Sequence, residues 1–131
     1  MKKLIEQAQQ AQQNSYSPYS KYRVGAAILT ASGKIYNGCN AEVASFTGTE
    51  HAETAALASA ITAGEAKQNV KFIKVVAVVT KDGAHPCGSC LQRLAEHADD
   101  FKIIVANDKG EILNNTTLKK MLPIQFKLEN A

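Results

Sequence analysis

Two short strings combine residue types that bind a transition metal with one that moves protons. The first is His51-Ala52-Glu53 and the second is Pro86-Cys87-Gly88-Ser89-Cys90. Two thiols separated by two residues at a helix start place both sulfurs on one side of the first turn, and one imidazole from another helix completes three ligands around a tetrahedral ion. Three protein ligands leave the fourth position to water, which is typical of a catalytic site. The spacing therefore predicts one Zn²⁺ per chain on His51, Cys87 and Cys90.

Glu53 follows the histidine by two residues, which predicts a carboxylate beside the ion that does not bind it. Zinc lowers the pKa of a bound water to about 7. A neighbouring carboxylate can then take a proton from that water and pass it to a leaving group. His-x-Glu followed by Pro-Cys-x-x-Cys is the signature of zinc-dependent deaminases. We therefore predict that Glu53 is the catalytic acid and base.

Each of these residues also has a purely structural interpretation. A Cys-x-x-Cys pair alone occurs in redox sites and in structural zinc sites, and Cys39 or His85 would close such a site as a fourth ligand. Cys39 ends an apolar strand, where a small buried thiol is usual. Pro86 restricts the residue before it, which predicts that the His85 side chain points elsewhere. The pattern favours the open, catalytic site, and it leaves His97 as a solvated residue late in a helix.

The elements that carry these strings follow from hydrophobic periodicity and turn residues. The predicted helices cover residues 2–14, 51–63, 88–97 and 117–122, and the predicted strands cover 24–30, 34–39, 70–80, 101–106 and 111–113. The β-branched run at 75–79 predicts a central strand that is buried on both faces. This order predicts the α/β class: a three-layer α/β/α sandwich with a mixed five-stranded sheet, in a single domain over residues 1–131.

The composition excludes several functional classes. The 131 residues are 45% hydrophobic and 21% charged, which is typical of one globular domain. The net charge of +3 is scattered along the chain, so no nucleic-acid partner is expected. No apolar run approaches the roughly 20 residues of a membrane span, and the first residues turn polar before a signal-peptide core could form. Three cysteines are few and odd in number, which favours a reducing, cytoplasmic location.

Three longer segments resemble the cytidine deaminase family. They are residues 17–27, 38–42 (Gly-Cys-Asn-Ala-Glu) and 122–126 (Leu-Pro-Ile-Gln-Phe), so the resemblance covers nearly the whole chain. The resemblance implies zinc-dependent hydrolytic deamination of cytidine and 2′-deoxycytidine to uridine and 2′-deoxyuridine. Ammonia is the second product, and the reaction belongs to pyrimidine salvage.

The resemblance also implies which residues meet the nucleoside. It places Asn40 and Glu42 on the ribose hydroxyls and Tyr22 near the pyrimidine, and it counts Ala52 among the substrate-binding residues. It places Phe126 in a neighbouring subunit's site, within a homotetramer that shares its active sites. A buried Asn and Glu are costly unless a polar ligand satisfies them, and ribose hydroxyls both donate and accept. The alternatives are a loop-start residue for Asn40, a solvated acid for Glu42 and C-terminal core packing for Phe126.

The chain departs from the family pattern at the metal motif. Tetrameric members usually have Cys where this chain has His51, and Arg where it has Thr54; larger dimeric members share the histidine. The charges of Zn²⁺ and three thiolates sum to −1, and a neighbouring Arg offsets this negative charge. The charges of Zn²⁺, two thiolates and a neutral imidazole sum to zero, so no Arg is required beside this site.

Three alternative functions remain open. The segment Phe46-Thr47-Gly48 resembles blasticidin-S deaminase, so the substrate of the alternative enzyme is a cytosine nucleoside antibiotic. A deaminase of the tRNA-editing type would need a basic phosphate-binding surface, which the scattered charges do not predict. A non-enzymatic zinc module would need a fourth protein ligand in the open position.

Overall fold

A mixed β-sheet forms the middle layer of the fold. The structure, a computed structural model, describes residues 1–128. The strands are β1 (Gly25–Thr30), β2 (Ile35–Cys39), β3 (Ile73–Val79), β4 (Lys102–Ala106) and β5 (Ile112–Thr117). Their spatial order is β2-β1-β3-β4-β5, in which β3 and β4 are parallel and the other neighbours are antiparallel. The predicted mixed five-stranded sheet is confirmed.

Helices cover both faces of this sheet. The helices are α1 (Lys2–Gln13), α2 (Ala52–Thr62), α3 (Glu65–Gln68), α4 (Gly88–Ala95) and α5 (Leu118–Met121). On one face α1 packs its apolar side, including Leu4 and Ala8, against the sheet. On the other face α2 and α4 contribute Leu57 and Leu94 to the larger core cluster. The two clusters confirm the α/β/α layers.

The central strand β3 separates the two cores. Val76 and Val78 belong to the cluster under α2 and α4, whereas Ala77 and Val79 belong to the cluster under α1. Successive side chains of a strand point to opposite faces, so both faces of β3 are buried. The β-branched run at 75–79 predicted this arrangement.

One edge of the sheet gathers the segments that carry the candidate chemistry. Gly25 pairs with Cys39 on one side and with Val79 on the other. The start of β1 therefore lies between the ends of β2 and β3. The chain leaves β3 at this edge and enters α4 through the loop that ends at Cys87, because a parallel β3–β4 pair needs a crossover connection.

The strand β2 passes very close to α2, which follows His51 in the chain. At Gly38, a Cβ atom would lie 2.4 Å from the backbone nitrogen of Ala56 and 2.7 Å from the carbonyl oxygen of Ala52. Real Cβ atoms do not approach backbone atoms so closely. Only glycine at position 38 allows α2, and with it the candidate metal ligand and Glu53, to approach the sheet this closely.

The structure differs from the predicted elements mainly at the C-terminal side. The strand predicted over residues 111–113 extends over Ile112–Thr117, because its backbone pairs with β4 even though Asn114 and Asn115 have low strand propensity. The short α3 and a 3₁₀ turn at Phe46–Gly48 were not predicted, since a single helical turn shows no periodicity. Within residues 1–128, no helix is both long and apolar enough to cross a bilayer.

The prediction that His97 is simply solvated is wrong. The helix α4 ends at Ala95, before His97, and the imidazole ring packs on Phe72 with the ring centroids 4.9 Å apart. Its Nδ1 donates a hydrogen bond of 2.9 Å to the carbonyl oxygen of Val70. His97 therefore ties the end of α4 to the segment that leads into β3.

Candidate active site

Three ligand atoms of the predicted zinc motif lie together in the structure. The Nδ1 atom of His51 is 3.2 Å from Cys90 Sγ and 3.5 Å from Cys87 Sγ, and all three ligand atoms lie within 4.8 Å of one another. A tetrahedral zinc with bond lengths of about 2.0 Å to nitrogen and 2.3 Å to sulfur has N–S edges of about 3.5 Å. The donor set and its spacing fit one zinc ion.

The starts of two helices position these ligands. His51 is the residue that precedes α2, Cys87 precedes α4, and Cys90 lies in the first turn of α4. Both helices direct the positive ends of their dipoles toward the cluster, which favours the thiolate form of the two cysteines. The predicted placement of the ligands at two separate helix starts is confirmed.

Cys90 is the buried member of the cluster, with 1% of its surface exposed. Burial raises the pKa of its thiol far above the usual range, and the negative charges of Glu53 and Cys87 raise it further. A bound zinc ion supplies the positive charge that such a buried thiolate requires. The electrostatics of the site therefore couple the ionisation of Cys90 to metal binding.

Glu53 lies in the first turn of α2 with only 6% of its surface exposed. Burial raises the pKa of its carboxyl group, while its own backbone N–H and the nearby His51 act in the opposite direction. A raised pKa brings a carboxyl group closer to neutral pH, where a group can both accept and donate a proton during turnover. Glu53 has the environment that an acid–base catalyst requires.

A cavity opens beside the cluster at the edge of the sheet. Its walls bring together six of the residues singled out from the sequence: Tyr22, Asn40, His51, Ala52, Glu53 and Cys87. Two others, Glu42 and Phe126, do not line this cavity within one chain. The cavity therefore joins the candidate metal ligands, the candidate acid–base residue and part of the candidate nucleoside site.

Asn40 is buried and already has hydrogen-bond partners within the chain. Its Oδ1 accepts hydrogen bonds from the backbone nitrogen of Val24 at 2.9 Å and from the hydroxyl of Ser15, and its Nδ2 donates to the carbonyl oxygen of Tyr22 at 2.9 Å. The argument that only a ligand would satisfy this buried amide is therefore wrong. Asn40 also cannot be an ordinary solvated loop-start residue, because it links three segments at the cavity wall.

Glu42 has the same kind of internal partners. Its carboxylate accepts hydrogen bonds from the backbone nitrogens of Tyr19 at 3.0 Å and Ser20 at 3.1 Å, and from the hydroxyl of Ser20. The Ser20 hydroxyl is the main cause that lowers the pKa of Glu42, although desolvation opposes it. The alternative of a solvated acid is wrong, since Glu42 holds the 19–20 segment in place.

The loop after β3 contributes residues that the sequence interpretation missed. Thr80 is buried, and its hydroxyl accepts hydrogen bonds from the backbone nitrogens of Gly83 at 2.8 Å and Ala84 at 2.7 Å. Asp82 accepts a hydrogen bond from the hydroxyl of Tyr22, whose pKa is raised by burial and by this carboxylate. A threonine directly before a Lys-Asp-Gly turn was the signal for such a side-chain-capped loop.

His85 lies at the cavity and not away from it. Pro86 was expected to turn this side chain away from the metal ligands, but His85 still lines the cavity together with Glu53 and Cys87. Its ring nitrogens are nevertheless absent from the group of three clustered ligand atoms found in the described part of the chain.

Phe126 is 71% exposed and lies outside the cavity of its own chain. The carbonyl oxygen of this residue accepts a hydrogen bond of 3.0 Å from Gln92 Nε2, which attaches the C-terminal segment to α4. The alternative that Phe126 packs in the C-terminal core is therefore wrong. Its ring is free to contact a second molecule.

Comparison with known proteins places these features in a family context. Residues 1–107 match the family model for the "Cytidine and deoxycytidylate deaminase zinc-binding region". The chain is 38% identical to a cytidine deaminase of Sporosarcina psychrophila over 133 residues, covering 99% of this chain and 93% of the relative. It is 40% identical to a cytidine deaminase of Halalkalibacterium halodurans over 128 residues, covering 97% of this chain and 94% of the relative.

A solved structure has the same architecture. The crystal structure of a cytidine deaminase from Burkholderia pseudomallei superposes with a TM-score of 0.86 at 35% identity. The similarity covers 95% of this chain and 97% of the other chain. The likeness therefore extends over nearly the whole length of both chains.

Proposed function

The chain belongs to the cytidine deaminase family, and we propose that Glu53 carries the protons of its reaction, the zinc-dependent deamination of cytidine. The single observation that supports this role is the buried Glu53 carboxyl in the wall of the cavity that also contains His51 and Cys87. The test is ammonia release from cytidine, 2′-deoxycytidine, cytosine and blasticidin S, with zinc content measured on the same sample. We expect release from the first two substrates.

The proposed metal ligands are His51, Cys87 and Cys90, which would hold one zinc ion per chain. When bound, zinc acts as a Lewis acid that lowers the pKa of water to about 7. Glu53 takes a proton from the attacking water and delivers it to N3 of the cytosine ring. The water oxygen meanwhile bonds to C4. Glu53 then takes the remaining proton from this C4 hydroxyl group and delivers it to the amino group, the C4–N bond breaks as the C4=O bond forms, and uridine and ammonia are released.

The proposed ribose site uses the hydrogen-bonding capacity that Asn40 and Glu42 keep in the folded chain. An amide nitrogen has two N–H groups and a carboxylate accepts about four hydrogen bonds. The internal hydrogen bonds use one N–H group of Asn40 and three acceptor positions of the Glu42 carboxylate. One donor on Asn40 and one acceptor on Glu42 therefore remain for sugar hydroxyls, whose groups both donate and accept.

We expect cytidine to be turned over far better than free cytosine, because a site built to bind a hydroxyl rejects analogues without it by factors of about 10⁴. Glu42→Gln should lower kcat/KM for cytidine about 10- to 100-fold, as expected for a lost charged hydrogen bond. The same variant should leave the rate on cytosine unchanged, which serves as its control. Equal efficiency on cytosine, or blasticidin S preferred over cytidine, would contradict the ribose assignment.

We propose further that the enzyme is a homotetramer in which Phe126 completes a neighbouring subunit's site. Several large apolar side chains near the C-terminus are exposed, namely Ile124, Phe126 and Leu128. Exposed apolar surface of this kind favours association with another protein surface. An aromatic ring from a neighbour would stack on the pyrimidine and exclude water from the cavity.

Phe126→Ala should raise KM for cytidine more than it lowers kcat, because stacking stabilises the bound substrate and the transition state similarly. Stacking of a base on an aromatic ring contributes about 1–3 kcal/mol. The neighbouring exposed residue provides the control, since Lys127→Ala should leave KM unchanged. Light scattering should give the mass of four chains, and a fully active monomer would show that the sites are not shared.

The proposed location is a reducing compartment such as the cytoplasm. All three cysteines are free thiols in the structure. Cys87 and Cys90 bind zinc only as thiolates, and oxidation to a disulfide would remove both ligands.

A further inference from the structure

His85 is a wall residue of the reaction cavity that the mechanism above does not use. It lines the cavity together with Tyr22, Glu53 and Cys87, and it is not one of the clustered ligand residues. It precedes Cys87 by two residues along the chain, so their Cα atoms lie at most about 7 Å apart. His85 therefore belongs to the part of the cavity wall that the candidate metal ligand Cys87 also forms.

A hydrogen-bond partner on the edge strand β5 determines which nitrogen of the His85 ring carries the proton. The Nδ2 atom of Asn114 lies 2.7 Å from Nε2 of His85. An amide nitrogen only donates hydrogen bonds, so Nε2 accepts, and the proton of the neutral ring is on Nδ1. Within residues 1–128, Nδ1 of His85 has no hydrogen-bond partner. The ring thus offers one free donor, Nδ1–H.

Two other polar side chains of the cavity, Tyr22 and Thr80, already have hydrogen-bond partners within the chain. The Tyr22 hydroxyl donates to Asp82, and the Thr80 hydroxyl accepts from two backbone nitrogens. Asn40 makes the three internal hydrogen bonds described above, and its remaining N–H group is the one assigned to the ribose. The Nδ1–H group of His85 is therefore a side-chain donor of the cavity that is available to a bound molecule.

We propose that His85 determines specificity for the base by donating a hydrogen bond from Nδ1 to an acceptor of the bound cytosine ring. Asn114 is a positioning residue, which acts through His85 by fixing its tautomer and orientation. The inference rests on the proposed function, since the acceptor belongs to the nucleoside that is deaminated in this cavity. The contact is to the base and not to the sugar, because His85 lies in the chain beside the candidate metal ligand Cys87, and the base is the part of the nucleoside that reacts at the metal.

The test compares three substitutions of His85. The amide nitrogen of asparagine reaches about as far as Nδ1 of histidine, and that of glutamine about as far as Nε2. His85→Ala should lower kcat/KM about 10-fold, the effect of one lost hydrogen bond. The loss should be equal for cytidine and 2′-deoxycytidine, and the zinc content should not change. His85→Asn should retain most of the wild-type value, whereas His85→Gln should behave like His85→Ala.

A double substitution tests the role of Asn114. Asn114→Ala should raise KM in the wild-type background and have no further effect in the His85→Ala background, because the two residues act as one unit. Calorimetry with uridine, which shares the ring oxygen O2, should show the same fold-loss of affinity in His85→Ala. This binding measurement separates the inference from the proposed function, whose own failure would appear as wild-type enzyme that does not deaminate cytidine.

Four results would overturn the inference. Unchanged kcat/KM and uridine affinity in His85→Ala would show that the residue does not take part in substrate binding. Loss of zinc in the same variant would make it a metal ligand. A loss confined to cytidine would place the acceptor on the 2′-hydroxyl group. Rescue by His85→Gln and not by His85→Asn would show that Nε2, and not Nδ1, serves the substrate.

Discussion

Replacing Glu53 with glutamine is expected to abolish most turnover of cytidine while the zinc stays bound. Glutamine has the shape of the carboxyl group but cannot take up and release a proton. General acid–base groups contribute about 10²–10⁴-fold to rates, and Glu53 acts in more than one transfer, so the loss should reach the top of that range or exceed it. The measurement is single-substrate kinetics of ammonia release together with zinc analysis.

The same variant has a stability readout that reports the burial of the Glu53 carboxyl group. Burial raises the pKa of this carboxyl group in the folded protein. Its protonated form is therefore favoured by folding, and the stability that it contributes is present at low pH and lost as the pH rises through the folded pKa. Zinc-free Glu53→Gln should unfold at a higher temperature than zinc-free wild type, and the difference should grow with increasing pH.

Two outcomes would contradict the assigned role of Glu53. A variant that retains a tenth of the wild-type rate would mean that another group moves the protons. Loss of zinc from Glu53→Gln would mean that the carboxylate binds the metal, since glutamine is a poor ligand for it. Thr54→Ser, a conservative change at the next residue of the same helix, should leave turnover and zinc content intact.

Removal of either clustered cysteine is expected to abolish metal binding and activity together. Cys87→Ala and Cys90→Ala each leave two of three ligands, so both variants should lose most of their zinc and nearly all turnover. They should also lose stability, because the ion joins the starts of α2 and α4 and its binding energy contributes to folding. Zinc analysis and thermal unfolding measure both effects.

The third cysteine provides the matched control. Cys39 is half-buried at the end of β2 and is not part of the cluster. Cys39→Ala should therefore keep its zinc and its activity. A loss of zinc from this variant would show that the site is a closed one with four protein ligands, which would favour a structural zinc module over an enzyme.

Protons should compete with zinc for the buried sulfur. Since burial raises the pKa of the Cys90 thiol, a thiolate there depends on the charge of the ion. Acidification protonates the ligands and should release zinc to a chromophoric chelator with a steep dependence on pH. A release rate that does not change with pH would show that the thiolates are stable without the metal.

The local placement of the candidate site residues could be predicted from the sequence, because short spacing at a helix start determines geometry. Cys87 and Cys90 lie within one helical turn, and His51 and Glu53 lie within another, so the chain itself limits their relative positions. The central strand β3 was predictable for a similar reason, since a β-branched run indicates burial on both faces. The edge strand β5 was underestimated, because its pairing with β4 compensates for a polar sequence of low strand propensity.

The amino-acid sequence by itself determined the metal motif and the layered α/β architecture, and it pointed to Glu53 as the candidate acid–base residue, because these depend on neighbours within a few residues or on hydrophobic periodicity. Only the tertiary structure decided what surrounds them. Gly25 pairs with Cys39 on one neighbouring strand and with Val79 on the other. These pairings bring residues that are 14 and 54 positions away from Gly25 in the chain to the same edge of the sheet. That edge gives Asn40 its internal partners and places His85 in the cavity wall. Such contacts depend on packing of the whole chain, which no local pattern contains.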